Sequence, residues 1–326
     1  MRIALTGATG HVGANLVRRL VELGHDVRAL VHEDRRALEG VAVQAVPGDL
    51  LDVDSLVKAF SGADQVFHAA VRISIASGDE KLVHDTNVIG TRNVVEACVR
   101  AGVKRLIHFS SIHALSSTPV DQLIDESRPL ASGSGLLPYD RSKSEAEQQV
   151  QAGVAKGLDA VILIPTGVLG PHDYRPSAMG QVLLDLALGR LPGLVDGAFN
   201  WVDVRDVIEG AIRASERCAA GERVLLSGHR KSLREIAVAV EHETGRKAPW
   251  FVSPMWLARA SAPLVTAFAR MTGKPPRVTT ESLHALRNHK LISHDKATRL
   301  LDYHPRPFEE TIAASIAWFK SAGAIG

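Results

Sequence analysis

The sequence predicts an α/β protein, a doubly wound parallel sheet followed by a smaller, mainly helical C-terminal lobe. Three observations predict it. The apolar run "RIALTG" leads directly into a helix-spaced series, Val12, Leu16, Leu20 and Leu23, which Gly24 ends before a second apolar run, "DVRALV". Short apolar runs then alternate with helical stretches as far as "AVILIP", which closes on Pro165. Beyond residue 170 Pro and Gly become denser and the periodic segments turn helical.

After the opening βαβ unit, "VAVQAVPGD" reads as a third strand and Val53 to Ser61 as a helix. The strand "QVFHAA", a helix ending near Ala101, the strand "RLIHFSS", a helix from Tyr139 to Val154 and the strand "AVILIP" complete the series. Strands joined through helices run parallel, with right-handed crossovers. Residues 1–169 are therefore expected to form the sheet domain and 170–326 the second lobe, with interleaved boundaries and some segments returning to the sheet. "PTGVLGPHDYRPSAMG", "LGRLPGLVDG" and "FNWVDVRDV" read as loops bordering a site, and "SLREIAVAVEHETG" and "FEETIAASIAWFKSAG" as helices. Asp203 and Asp206 are expected to cap a helix or pair with Arg205. Residues 251–271 are apolar but broken by Arg259 and Pro263, which favours a packed helix pair kinked at Pro263 over a lid, a substrate wall or a membrane-contacting surface.

Of the 326 residues 45% are hydrophobic and 23% charged, enough for an ample core. The net charge of +2 and the dispersed basic residues argue against a nucleic-acid or acidic-membrane partner. Cys98 and Cys218 lie in helix-like segments with apolar neighbours and read as reduced core thiols of a cytoplasmic protein. The N-terminus enters a strand at once, and no apolar run approaches the roughly 18 residues of a membrane span. His284, His289 and His294 recur every five residues, a spacing that does not align on a helix face, so no metal site is expected.

The chemistry-bearing motifs lie at the strand ends. "TGATGHVG" places Gly7, Gly10 and Gly13, with Thr9, His11 and Val12 between them, where the first strand turns into a helix. Missing side chains there let the backbone approach a phosphate held at the helix N-terminus, the cradle of a Rossmann-type dinucleotide site. At the end of the second strand, "LVHEDRR" offers His32, Arg35 and Arg36 but no carboxylate at the strand's last position. Basic residues there favour a 2′-phosphate, so NADP(H) is the preferred cofactor; NAD(H) stays open because Glu33 or Asp34 can bend back to a ribose hydroxyl.

"LPYDRSK" sets Tyr139 four residues before Lys143, one helical turn apart on one face. The other two tyrosines, Tyr174 and Tyr303, have Ala178 and Pro307 at that place. An isolated YxxxK is ordinarily a surface coincidence; here it accompanies the glycine turn, "GDL" at 48–50, "HAA" at 68–70, "NVIGTRNVVEA" at 87–97 and "FSS" at 109–111. On these motifs, which span nearly the whole chain, the sequence resembles the extended short-chain dehydrogenase/reductase family. That family includes nucleotide-sugar epimerases and dehydratases, dihydroflavonol-reductase-like enzymes and 3β-hydroxysteroid dehydrogenases. The resemblance implies that Asp49 and Leu50 sit by the adenine, that Ala69, Ala70 and Pro165 line the cofactor channel, and that Asn87 lies on a helix behind the active site. It puts the catalytic hydroxyl on Ser111, with Ser110 the alternative one residue away. His68 reads as a packed strand residue.

A free tyrosine, with its pKa near 10, is a poor acid-base at neutral pH; the Lys143 charge is expected to lower it and the ammonium to hold nicotinamide-ribose hydroxyls. Ser111 would hydrogen-bond the substrate oxygen. The expected activity is an NAD(P)-dependent oxidoreductase interconverting a ketone or aldehyde and its alcohol on a fairly apolar small molecule, possible as a homodimer. One alternative is a nucleotide-sugar epimerase or dehydratase with tightly bound NAD, for which Arg175, Arg190 and Arg205 could bind a diphosphate. The other is a non-catalytic redox sensor, against which the presence of Tyr139, Lys143 and the serines counts.

Overall fold

The computed structural model describes residues 1–31, 34–73, 79–260, 283, 286 and 291–325; His32, Glu33, Pro263, His284 and His289, named above, lie outside the described residues. Seven parallel strands form the central sheet: β1 (Arg2–Thr6), β2 (Asp26–Val31), β3 (Gln44–Pro47), β4 (Gln65–His68), β5 (Arg105–Phe109), β6 (Ala160–Pro165) and β10 (Arg223–Leu226). Their order is β3-β2-β1-β4-β5-β6-β10. The order reverses between β1 and β4, which opens a crevice at the carboxyl ends of these strands, the binding place of open α/β sheets.

Strand alternation divides the core. Ile3, Leu5, Phe67, Ile107, Val161 and Leu163 face one layer, packed by Leu16 and Leu20 of α1 (His11–Glu22) and by Val207 and Ala211 of α7 (Val204–Arg217). Their neighbours Ala4, Val66, Leu106, Ile162 and Ile164 face the other, against Leu56 of α2 (Val53–Phe60), Val94 of α4 (Gly90–Ala101) and Val150 of α5 (Pro138–Ala155). Burial on both faces explains the continuous apolar runs that marked these strands in the sequence. Before α4, the short α3 (Glu80–His84) passes through a π-turn (Asp85–Ile89). Cys98 and Cys218 are buried free thiols.

The C-terminal half contains more strand than expected. β7 (Gly167–Leu169), β9 (Ala198–Asp203) and β11 (His229–Ser232) form a second sheet, and β8 (Leu194–Val195) pairs with β12 (Val252–Ser253). "FNWVDV" is thus not a loop but a fully buried strand that runs straight into α7. Asp203 caps that helix through the Arg205 amide and grips the Arg205 guanidinium at 2.7 and 3.0 Å, whereas Asp206 pairs with Arg306 at 2.8 Å rather than with Arg205. Besides α7, the helices of this half among the described residues include α6 (Ala178–Ala187), α8 (Leu233–Thr244), which opens with a Ser232/Glu235 capping box, Asp295–Leu301 and Phe308–Ser321. None of the helices among the described residues is long and apolar enough to cross a membrane.

Two histidines lie side by side in the sheet. His68 and His108 are register partners on β4 and β5, with ring centroids 5.2 Å apart. His68 is held between Thr6 Oγ1 at 2.7 Å and Thr91 Oγ1 at 2.9 Å, a packed residue as expected, while neither ring nitrogen of His108 has a partner among the described residues. Burial, helped by the Lys143 charge, lowers His68 to about 3 and holds His108 well below its ordinary value. Both are neutral in the folded protein at any moderate pH, but unfolding frees them to protonate below their ordinary value of 6.5. The unfolded chain then binds more protons, so stability falls as pH drops from that value toward 3. His68 should contribute about 2 kcal/mol of destabilisation between pH 7 and pH 5, and His108 acts in the same direction. His108→Leu is expected to narrow that difference by its share in urea unfolding at the two pH values; an unchanged difference would refute the assignment.

Candidate active site

The β1–α1 turn is built by close backbone approach. Gly7 has φ +77°, and a Cβ there would stand 2.4 Å from the Ala70 nitrogen; one on Gly13 would stand 2.0 Å from the Gly7 carbonyl oxygen. Gly10 is different, because its Cβ would meet nothing nearer than the Gly7 oxygen at 3.4 Å. Gly10 caps α1 without a side-chain hydrogen bond, and the first turn carries no acidic residue, so the helix start suits an anion. Thr9 and Val12 are half-buried in this turn. Ala69 and Ala70 follow β4 immediately and press against it, with the Ala69 amide on the Thr6 carbonyl at 3.1 Å. The glycine-rich turn, with a helix start free of acidic residues in the sheet crevice, fits a dinucleotide. His11 is turned elsewhere: its Nε2 donates to the Pro171 carbonyl at 3.1 Å, and Asn15 reaches the same oxygen at 2.9 Å.

Around the crevice, Asp49 is exposed and takes the Leu51 amide at 2.9 Å, while the Leu50 carbonyl accepts from Asn93 at 2.9 Å on α4. Pro165 ends β6, buried and in register with Leu226. Beyond β2, Arg35 and Arg36 are exposed, and Arg36 clasps Asp34 at 2.8 Å. Arg175 reaches the same carboxylate at 2.7 Å from the segment after β7. The two guanidinium groups, Arg36 foremost, hold the Asp34 carboxyl below the usual carboxylate range. Arg205 is bound to Asp203, as described, whereas Arg175 shares the single Asp34 carboxylate with Arg36.

The end of β5 and the start of α5 form the centre. Pro138 occupies the first turn of α5, and Tyr139 and Lys143 follow one turn apart. Ser110 and Ser111 diverge: Ser110 donates to the fully buried Glu147, whereas Ser111 takes the His113 amide at 3.2 Å and favours the ionised form of Tyr139. The Lys143 ammonium is buried and donates to the Phe109 carbonyl at 2.8 Å. Burial lowers its pKa to about 8, with Glu147 acting in the opposite direction.

Tyr139 departs from expectation. Its ring is half-buried, but its hydroxyl end is desolvated, and burial pushes its pKa up to about 12. The Ser111 hydrogen bond opposes the rise and the Asp140 charge adds to it. The direction is thus set by desolvation and is opposite to the lowering expected from Lys143.

Three surrounding groups escaped the sequence reading or were only partly placed by it. His113 Nδ1 lies 2.9 Å from Asp140 Oδ1, and its ring meets Tyr139 edge-on at 5.4 Å and stacks on Phe199 at 5.9 Å. Its place two residues after Ser111 was the one available signal. Asn87, in the π-turn, binds Ser142 Oγ at 2.9 Å and both backbone groups of Arg72 at 2.8 and 3.0 Å, tying the segment after β4 to α5. Glu147 lies one turn beyond Lys143 and is paired with Arg223 of β10 at 2.7 Å.

With this geometry in view, similarity to known proteins is informative. Residues 3–226 match the NAD dependent epimerase/dehydratase family. Sterol demethylase protein B of Methylococcus capsulatus is 35% identical over 329 aligned residues, covering 100% of both chains. The 4-hydroxy-2-methyl-3-oxo-4-farnesyl-3,4-dihydroquinoline-1-oxide ketoreductase of Stigmatella aurantiaca is 30% identical over 94% of this chain and 92% of its own. The crystal structure of gox2253, 35% identical, superimposes with a TM-score of 0.86 over 99% of each chain. The chain therefore belongs to the NAD-dependent epimerase/dehydratase family and is an NAD(P)-dependent enzyme of the extended short-chain dehydrogenase/reductase type.

Proposed function

We propose that the protein is an oxidoreductase that transfers a hydride between nicotinamide and a ketone, aldehyde or secondary alcohol of a fairly apolar small molecule. The observation that carries this reading is the Lys143 ammonium, buried one turn from Tyr139 on α5 and donating to the Phe109 carbonyl just ahead of Ser110 and Ser111. The ketoreductase relative, named for a farnesyl-bearing substrate, supports it. Residues 1–169 then serve the cofactor and 170–326 the substrate, with β10 returned to the sheet.

In this reading Gly7, Gly10 and Gly13 hold the pyrophosphate, Asp49 and Leu50 flank the adenine, and Ala69, Ala70 and Pro165 border the channel. The nicotinamide supplies or accepts the hydride when bound. Ser111 donates a hydrogen bond to the substrate oxygen and stabilises the charge that develops there. Tyr139 Oη moves the proton; its raised pKa keeps it a neutral phenol, ready to donate to a nascent alkoxide. Lys143 stands ready for the ribose hydroxyls and holds positive charge beneath the site. NADP(H) is preferred on account of Arg35 and Arg36, although a 2′-phosphate would have to compete with Asp34 for Arg36 and Arg175.

Tyr139→Phe should lower the turnover number about a hundredfold or more while leaving nucleotide binding intact; wild-type turnover would remove Tyr139 from the chemistry and favour a sensor. Because Lys143 loses its proton near pH 8, kcat/KM for reduction should decline as pH rises through about that value, and a flat profile to pH 9.5 or so would argue that its charge is not required. Mass spectrometry of nucleotide released on denaturation separates the enzymatic readings. Released NADP(H), or an empty site that takes up NADPH more tightly than NADH, is expected; near-stoichiometric NAD would instead support the epimerase or dehydratase reading.

A further inference from the structure

The small net charge of the chain conceals a local excess. From Gly245 to Ala260 there are three basic residues, Arg246, Lys247 and Arg259, and no Asp or Glu; in the sequence the acid-free run continues to Thr280. All three basic residues are exposed. The same short stretch turns its largest apolar side chains to solvent: Trp250 is 86% exposed, Trp256 71%, Phe251 41% and Leu257 39%. Soluble surfaces tolerate scattered apolar residues, but two tryptophans this exposed within seven positions of one another are unusual.

The backing of this segment is firm. β12 pairs with β8, and the Leu194 and Asp196 amides each bond to its backbone carbonyls at 2.9 Å. Arg234 donates to the Pro249 carbonyl at 2.6 Å, Glu241 accepts the Ala248 amide at 3.0 Å, and Ala258 is buried against Val195 and Met255. The tryptophans are therefore presented on a fixed platform. Tryptophan favours the membrane–water interface, and interspersed Arg and Lys favour acidic headgroups.

We propose that the Arg246–Arg259 segment docks the protein peripherally onto an anionic lipid bilayer. Charge complementarity selects the bilayer over a second copy, because a two-fold contact would bring the same three cations, with no Asp or Glu in their own segment, toward one another. The inference goes beyond the proposed activity and does not depend on it, although an apolar substrate would itself be concentrated in a bilayer.

The test is flotation of the full-length protein with phosphatidylcholine vesicles, with and without phosphatidylserine. Wild type should float with the anionic vesicles at least about tenfold more than with neutral ones at low salt, and much less at high salt. Trp250→Ser/Trp256→Ser should reduce binding to anionic vesicles about tenfold or more, and each of Arg246→Gln, Lys247→Gln and Arg259→Gln about fivefold. These side chains are exposed, so unfolding temperature and turnover of a water-soluble ketone should stay at the wild-type level. Wild type that floats with neither vesicle, or a tryptophan variant that floats like wild type, would overturn the proposal. So would a wild-type dimer that ignores vesicles and dissociates in the tryptophan variant, which would make the patch a self-association surface.

Discussion

A buried ammonium group sets the terms for the rest of the structure. Lys143 lies inside the junction of β5 and α5, where a single carbonyl, that of Phe109, accepts from it at 2.8 Å. An ammonium so placed is costly unless negative charge lies near. Glu147 provides that charge one turn along α5, and being fully buried itself it must in turn be satisfied. Ser110 donates to one of its oxygens and Arg223 to the other. Arg223 stands on β10, the edge strand of the central sheet next to β6, and it also donates to the Glu126 carbonyl at 2.6 Å. The need to compensate one lysine thus links β5, α5 and β10. Removing one member of such a buried pair typically costs about 3–5 kcal/mol, so this link constrains the fold as well as the chemistry.

The same network separates the roles of two adjacent serines. Side chains alternate along an extended strand end, so Ser110 and Ser111 must point to opposite sides. With Ser110 drawn inward to Glu147, Ser111 is left to face Tyr139. The glycine turn makes a comparable steric choice on the cofactor side. Gly7 and Gly13 are fixed by contacts that a Cβ would violate, whereas a Cβ on Gly10, where the α1 amides begin, would make only an ordinary contact with the Gly7 oxygen. Both ends of the crevice are thus shaped by what cannot fit behind them.

What was legible in the sequence follows from range. Tyr139 and Lys143, the glycine turn and the doubly buried strands announce themselves through spacings of a few residues, and helix and strand periodicity carries them without distant partners. β9 was misread as a loop because "FNWVDV" mixes polar and apolar residues; Asn200 is buried there only because Thr166 and the Gly228 amide and carbonyl satisfy its amide group. Glu147 with Arg223 and Asp34 with Arg175 are 76 and 141 residues apart, and no local pattern predicts such pairings. The Tyr139 pKa was misjudged for a related reason. Spacing gives the distance to Lys143, but the desolvation of the hydroxyl depends on everything packed around it.

Desolvation also explains why the two shifts at this site oppose each other. Burial disfavours phenolate and ammonium alike, raising Tyr139 to about 12 and lowering Lys143 to about 8, so the neutral tyrosine is favoured before any ligand enters. Asp140 strengthens that bias with a negative charge beside the phenol. His113 lies against both, 2.9 Å from the Asp140 carboxylate and edge-on to the Tyr139 ring. A carboxylate that accepts a hydrogen bond from imidazole has part of its field directed away from its neighbour, so the His113–Asp140 contact tempers the influence of Asp140 on the phenol. Tyr139 thus answers to Ser111 on one side and to this pair on the other, while the Lys143 charge adds to the burial that keeps the underlying histidines neutral.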